Sequence, residues 1–325
     1  MPEHGLVLGK FMPPHRGHLY LIDFARQVTP DLTVVVGSLP HEPIPGALRH
    51  AWLKELYPDL HVVHLTDENP QLPEEHPDFW NIWRTSLQRI AGRPIDLLFA
   101  GEPYGEQLAQ TLDARFVPCN AGRDLLAVSG TAVRDSPEAH WHLLPPVVQA
   151  YYARRVLIFG PESTGKTTLA QRLAQEFDGT YVPEYARTYL DGKEDHFDLH
   201  DMTLIARGQN ASEQALARVG KPWLFCDTDA LTTQIWSQEL FGQVARTFPD
   251  IPDHYDLVLL TDVDVPWVPG SLRLRPEGRV EFLARCRAAL EERGRTYKVI
   301  SGGWEERWSQ AKAAVQAVKT SPRRP

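Results

Sequence analysis

Residues 154–167, RRVLIFGPESTGKT, carry the strongest chemical signal in the chain. Val156 to Phe159 is an apolar run that leads into Gly160, four intervening residues, and then Gly165-Lys166-Thr167, which is the P-loop spacing. Leu169, Leu173 and Phe177 follow at helical spacing, so the pattern has the strand before it and the helix after it that it requires. These residue types suit a polyphosphate. Glycines let consecutive backbone N–H groups turn inward, and the following helix N-terminus adds partial positive charge. Lys166 reaches the terminal phosphates and the Thr167 hydroxyl ligates Mg²⁺. Glu162, Ser163, Thr164 and Thr168 complete the expected ATP-binding loop.

A second constellation opens the chain: Gly9-Lys10-Phe11-Met12-Pro13-Pro14-His15-Arg16-Gly17-His18, after the short apolar run from Gly5. His15 and His18 are three apart, so at a helix start they project from one side, where the helix dipole favours an anion. With Lys10, Arg16 and free backbone N–H groups they make a cradle for a triphosphate.

These residues need elements to hold them. The runs 31–39, 60–67, 95–102 and 114–119 read as strands, and 50–57 and 79–92 as helices, an alternation that predicts a parallel, doubly wound sheet with ligands at the strand carboxyl ends. Past the P-loop, 179–184, 222–230, 256–264 and 297–303 form a second strand set. The stretch 136–155, with its Pro145-Pro146 break, reads as the connection, giving domains 1–152 and 153–320 and a disordered tail, 321–325. Asp227, at a strand end, is placed to hold Mg²⁺ with Thr167, and Asp229 two residues on is expected on the same side. Asp229 and Glu184, the latter in the Glu184-Tyr185-Ala186-Arg187 segment, are rivals for the base that takes the acceptor proton. The region 262–279, with Trp267, Arg273, Arg275 and Arg279, reads as a lid whose arginines neutralise transferred phosphoryl charge, solvated surface arginine being the competing reading of each. Arg49 has two readings, an acceptor-phosphate ligand or a solvated helix-start arginine.

Composition bounds the rest. At 325 residues there is material for two cores, and a formal net charge of −8 excludes a general binder of nucleic acid or anionic membrane. Cys119, Cys226 and Cys286 are odd in number and widely spaced, so neither a disulfide framework nor a zinc site is implied. With no signal-peptide pattern and no bilayer-length apolar run, a cytoplasmic enzyme is expected.

The string HxGH after a first strand, paired with Ser129-Gly130-Thr131-Ala132-Val133-Arg134, resembles the nucleotidylyltransferase superfamily. Adding GEPYG (101–105), GPESTGKT, EYAR, DTDALTT and DVPWV in order, nearly the whole chain resembles the bifunctional NadR-type proteins, a nicotinamide-nucleotide adenylyltransferase fused to a ribosylnicotinamide kinase. The resemblance implies an α/β chain of two domains, a Rossmann-like nucleotidylyltransferase fold and a P-loop kinase fold, each with a mainly parallel sheet flanked by helices. It implies ATP at both sites with Mg²⁺, and phosphorylation of nicotinamide riboside to the mononucleotide NMN followed by adenylylation of NMN to NAD.

Residue by residue, the resemblance assigns Gly9, Phe11, His15, His18, Ser129, Thr131 and Arg134 to the first ATP, and Trp83 to stacking on nicotinamide, against core or lid packing as the other reading. It assigns Tyr185, Arg187 and Trp267, with Glu184 and Asp229, to the riboside. Partners are small molecules, with no nucleic acid and no membrane, and a homo-oligomer is compatible with the sequence. The first catalytic strand is expected to begin at residue 5, so the helix-turn-helix of some relatives is not expected. The segment after Pro266-Trp267-Val268 also departs from the acidic residues and glycine common there. Two other readings share the phosphate motifs: a coenzyme A pathway fusion, and a nucleotide-responsive regulator without turnover.

Overall fold

The structure is a computed structural model that describes residues 2–119, 128–193, 196–268 and 278–320. Two compact units divide between Val148 and Gln149.

The first unit alternates strands β1 (Gly5–Gly9), β2 (Leu32–Gly37), β3 (His61–Leu65), β4 (Leu97–Ala100) and β5 (Arg115–Pro118) with helices α1 (Arg16–Val28), α2 (Gly46–Leu56), α3 (Phe79–Ala91), α4 (Tyr104–Thr111) and α5 (Gly130–Asp135). Every pairing is parallel and the strand order is β3-β2-β1-β4-β5. The strands are almost wholly apolar because helices cover both faces. Alternate residues then divide between two cores: Val7, Val34, Val36 and Phe99 pack with Ile22, Ala25 and Leu53 on one face. Leu6, Val35 and Leu98 pack with Leu87 and Leu108 on the other. The chain leaves β1 towards β2 and returns on the opposite side at β4, so the carboxyl ends of β1 and β4 flank the switch point where such sheets bind ligands.

The stretch 136–155 is a 3₁₀ turn, Trp141–Leu143, followed by α6 (Pro146–Tyr152). Pro146 starts this helix, as proline does at a first helical position where no N–H partner is needed.

The second unit has strands β6 (Arg154–Phe159), β7 (Thr180–Val182), β8 (Trp223–Asp227), β9 (Leu257–Thr261) and β10 (Lys298–Ile300), with helices α7 (Lys166–Glu176), α8 (Tyr185–Leu190), α9 (Leu199–Ala217), α10 (Ala230–Phe241), α11 (Arg279–Glu292) and α12 (Trp304–Thr320). The order β10-β9-β6-β8-β7 is again all parallel. Central β6 lies between β8 and β9, so the loop that follows it emerges between Asp227 and Thr261. Val156, Ile158, Phe225 and Leu259 pack with Leu169, Leu173 and Val315. The strand expected over 222–230 stops at Asp227 because Asp229 caps α10, accepting from the Thr232 N–H. No described helix is long and apolar enough to cross a membrane, and all three cysteines are buried and unpaired.

Candidate active sites

In the first unit β1 delivers residues 9–15 to the switch point. His15 caps α1: its Nδ1 accepts from the Gly17 N–H at 3.1 Å, which in the neutral ring puts the proton on Nε2. Its ring stacks on His18 with centroids 3.7 Å apart, and Phe11 packs edge-on against His18 at 5.1 Å. Glycines give these rings close room. A Cβ on Gly17 would sit 3.1 Å from the His15 ring, and one on Gly9 3.0 Å from the Phe11 ring.

The 129–134 segment closes on this turn. Ser129 caps α5, accepting from the Ala132 N–H, and Arg134 donates to the Met12 carbonyl and to Thr131 Oγ1. A Cβ on Gly130 would lie 2.5 Å from the Met12 carbonyl oxygen, so only glycine admits this approach. The two motifs therefore meet through Met12. Around them lies a cavity of about 580 Å³, lined by Gly9, Lys10, Phe11, Met12, His18, Thr131 and Arg134 on one part and by Trp80 and Trp83 on another. Trp83 is oriented by its Nε1–H, which donates to the Pro70 carbonyl at 2.9 Å. Of the expected 101–105 turn, Gly101, Glu102 and Tyr104 reach the lining.

Arg49 is a correction. Neither expectation for it holds, because its side chain is fully buried, donating through Nε to Ile44 and through Nη1 to the Lys10 and Gly37 carbonyls, with Nη2 paired to Glu42. A guanidinium that is out of water needs partners for its donors, and these carbonyls and one carboxylate take four of its five N–H groups. Glu42 also takes Lys10 Nζ at 2.9 Å and the Leu39 N–H; together these hold its carboxyl below the usual range against the opposing effect of burial.

Sequence reasoning missed one pair at this cavity. Ser38, at the carboxyl end of β2, lines it and sits 2.8 Å from His64 Nε2. Burial, with His50 and Arg49 nearby, lowers the His64 pKa and so favours the neutral imidazole. The contact joins positions 26 apart in sequence, and no local pattern marks it.

In the second unit the 160–167 loop is wound by left-handed residues: φ is 137° at Gly160, 56° at Ser163 and 84° at Gly165. A Cβ on Gly160 would meet the Thr261 carbonyl at 2.8 Å. Lys166 Nζ donates across the loop to Pro161 at 2.7 Å, and Thr164 Oγ1 donates to the same carbonyl and contacts Thr261 Oγ1. Thr167 Oγ1 donates to Asp227 Oδ2 at 2.5 Å, while Thr168 is exposed on the first turn of α7 and Glu162 is half-buried. Burial pushes the Asp227 carboxyl up, Lys166 opposes this and Glu184 adds to it. Asp227 Oδ1 is buried and has no hydrogen-bond partner. A carboxylate oxygen orphaned beside a threonine hydroxyl fits a divalent cation, which takes oxygen ligands of this kind. The described residues contain no cluster of three or more His, Cys, Asp or Glu for a metal, so any ion here would depend on these two side chains and other oxygens.

Two expectations change on this side, those for Asp229 and Arg279. Asp229 does not face an acceptor. Its Oδ2 pairs with buried Arg295 at 2.9 Å and its Oδ1 takes the Thr232 N–H, because an arginine buried at this depth needs a counter-charge and α10 needs a cap. Arg279 donates through both terminal nitrogens to the Val265 carbonyl, and through Nη1 to Ser163, so it braces the loop from its backbone side; Arg273 and Arg275 lie outside the described residues. Tyr185 donates its N–H to Gln209 Oε1, and its ring covers Gly208, where a Cβ would be 2.0 Å from Cε1. That packing orders the ring, and the residue stays part-exposed.

Glu184 keeps an accessible carboxylate and accepts from Arg187 Nε at 2.7 Å. Half-buried Trp267 has an Nε1–H without a hydrogen-bond partner. Arg307 is a further residue that no motif announced: buried, it donates to the carbonyls of Thr164, Gly302 and Asp262 and locks the loop to the start of α12.

Comparison with known proteins follows the same two halves. The family model described as "AAA domain" matches residues 155–307. The "Trifunctional NAD biosynthesis/regulator protein NadR" of Escherichia coli (strain K12) is 29% identical over 293 residues, 83% of this chain and 71% of that protein. A "Nicotinamide-nucleotide adenylyltransferase" of Methanospirillum hungatei is 28% identical over 160 residues, 44% of this chain and 83% of its own. The crystal structure of a NadR protein in complex with NAD and AMP-PNP superposes with a TM-score of 0.76 at 22% identity, covering 100% of this chain and 98% of that one, which establishes a shared fold. This chain is accordingly a homologue of the NadR-type proteins across most of its length.

Proposed function

We propose that the chain is a two-site enzyme of NAD biosynthesis: the second unit transfers the γ-phosphoryl group of ATP to nicotinamide riboside, and the first joins the resulting NMN to ATP, giving NAD and pyrophosphate. The observation that carries this reading is the junction of the His15/His18 turn with the 129–134 segment at one cavity that also holds two tryptophans. The names of the E. coli and M. hungatei relatives support it.

In the first unit the NMN phosphate attacks the α-phosphorus of ATP in line. His15, through Nε2–H, together with His18, Lys10, Ser129, Thr131 and Arg134, holds the triphosphate and receives the charge that moves onto pyrophosphate. Trp83 offers its π-face to the cationic pyridinium. With Arg49 committed to the fold, Lys10 and the Ser38 hydroxyl are the side chains left to meet the acceptor phosphate at this edge.

In the second unit the riboside 5′-hydroxyl attacks the γ-phosphorus. Loop backbone N–H groups and Lys166 hold the phosphates. Thr167 and Asp227 would hold Mg²⁺, which would supply positive charge to offset that of the phosphates. With Asp229 paired to Arg295, Glu184 is the carboxylate that takes the hydroxyl proton, Arg187 orients it, and Trp267 packs against the base of the riboside.

The test is chromatography of products from the purified protein with nicotinamide riboside, excess ATP and Mg²⁺. NAD and pyrophosphate accumulating together support both assignments. A halt at NMN removes the first, and an untouched riboside removes the second and favours the coenzyme A or regulator reading.

A further inference from the structure

Helix α12 starts beside the 160–167 loop, and its first residue, Trp304, is 54% exposed. Single exposed aromatics are ordinary on protein surfaces. This one differs in its setting. An edge of the indole abuts the loop, since a Cβ on Gly165 would lie 2.5 Å from Cζ3 and 3.1 Å from Cη2. One face rests over the Arg307 guanidinium, 6.0 Å from the ring centroid. Arg307 is itself buried and fixed to the loop by its bond to the Thr164 carbonyl at 3.1 Å, and to the turn before α12 by Gly302. The ring is therefore held against the loop while more than half of the residue stays open to solvent.

We propose that Trp304 is the stacking platform for the base of the nucleoside triphosphate whose phosphates the 160–167 loop cradles. This rests on the reading of that loop as the phosphate cradle, and adds what holds the other end of the same molecule. Every nucleobase presents a π-face, and an indole held in place loses little entropy when one stacks on it. The guanidinium beneath fixes the tilt of the ring. Gly165 is the N-cap of α7, so phosphates bound at that N-terminus and a base on the adjoining ring are within the reach of one nucleotide. No contact is required with the sugar or the acceptor.

The experiment uses the full chain, measuring ADP release from ATP with nicotinamide riboside as acceptor, and inorganic tripolyphosphate as a competitive inhibitor that has phosphates but no base. Trp304→Ala is expected to raise KM for ATP on the order of 10- to 100-fold, the range for losing one aromatic stack, and Trp304→Phe to stay within about threefold of the parent. Inhibition by tripolyphosphate is expected to be the same in all three proteins. An unchanged KM for ATP in Trp304→Ala overturns the inference. Equal weakening of ATP and tripolyphosphate also overturns it, because the ring would then be shaping the loop. If the parent chain releases no ADP with this acceptor, the same comparison is made on the Kd for ATP by equilibrium titration; a parent chain that binds neither ATP nor tripolyphosphate has no phosphate cradle, and the platform falls with it.

Discussion

His15 and His18 show what a residue can do only in company. Each alone is an ordinary imidazole, yet the cap on the Gly17 N–H fixes one tautomer and the 3.7 Å stack fixes both rings. If they hold the triphosphate, His18→Ala lowers adenylyl transfer by about 10²–10³, the scale for one preorganised donor. Phosphoryl transfer in the second unit is expected to be unchanged in the same preparation, which serves as the control for folding. Arg49 makes the opposite case. Arg49→Ala leaves Glu42 with one cation fewer and orphans three carbonyls, so it is expected to cost about 3–5 kcal/mol in denaturant unfolding. A variant that kept its stability and only raised KM for the acceptor would restore Arg49 to the binding site.

At the scale of elements, the helix starts carry both the chemistry and part of the stability. His15 and Ser129 cap the helices at the first cavity, Gly165 opens α7, and Asp229 caps α10. Helix α9 has a full capping box, in which Asp198 accepts from the Asp201 N–H and Asp201 from the Asp198 N–H. Asp198→Ala is expected to cost about 1 kcal/mol. The Asp201 carboxylate also takes Lys193 and Tyr189, which hold its pKa down to about 2 from 3.8. A lowered folded value means the ionised form is favoured by folding, so this stability is present above pH 3.8 and is lost as pH falls towards 2. The stability gap between the parent chain and Asp201→Asn should therefore narrow as denaturant titrations move from pH 6 towards pH 3; a gap that widens would contradict the assignment.

For the molecule as a whole, two sheets with separate cores bear two separate sites. Phe99 is fully buried in the first core, and Phe99→Ala is expected to remove about 3–5 kcal/mol from that unit. After a mild heat challenge, adenylyl transfer should then be lost at a lower temperature than phosphoryl transfer. Coincident loss of both activities would show that the two units unfold as one.

The sequence by itself determined the two phosphate-type turns, the α/β alternation around them and the strand ends at which they sit. These are local matters: glycine where φ must be positive, a capping side chain at a helix start, and an apolar run where both faces are covered. Tertiary structure alone decided which charged side chains were free to act. Arg49, Asp229 and Arg279 looked available in sequence, but folding brought each to partners the sequence did not announce. Asp229 finds Arg295 66 residues away, and Arg307 reaches the phosphate-type loop across 143. A charge taken out of water must be satisfied by whatever donor or counter-charge the fold places beside it, and that neighbour is set by the packing of distant elements.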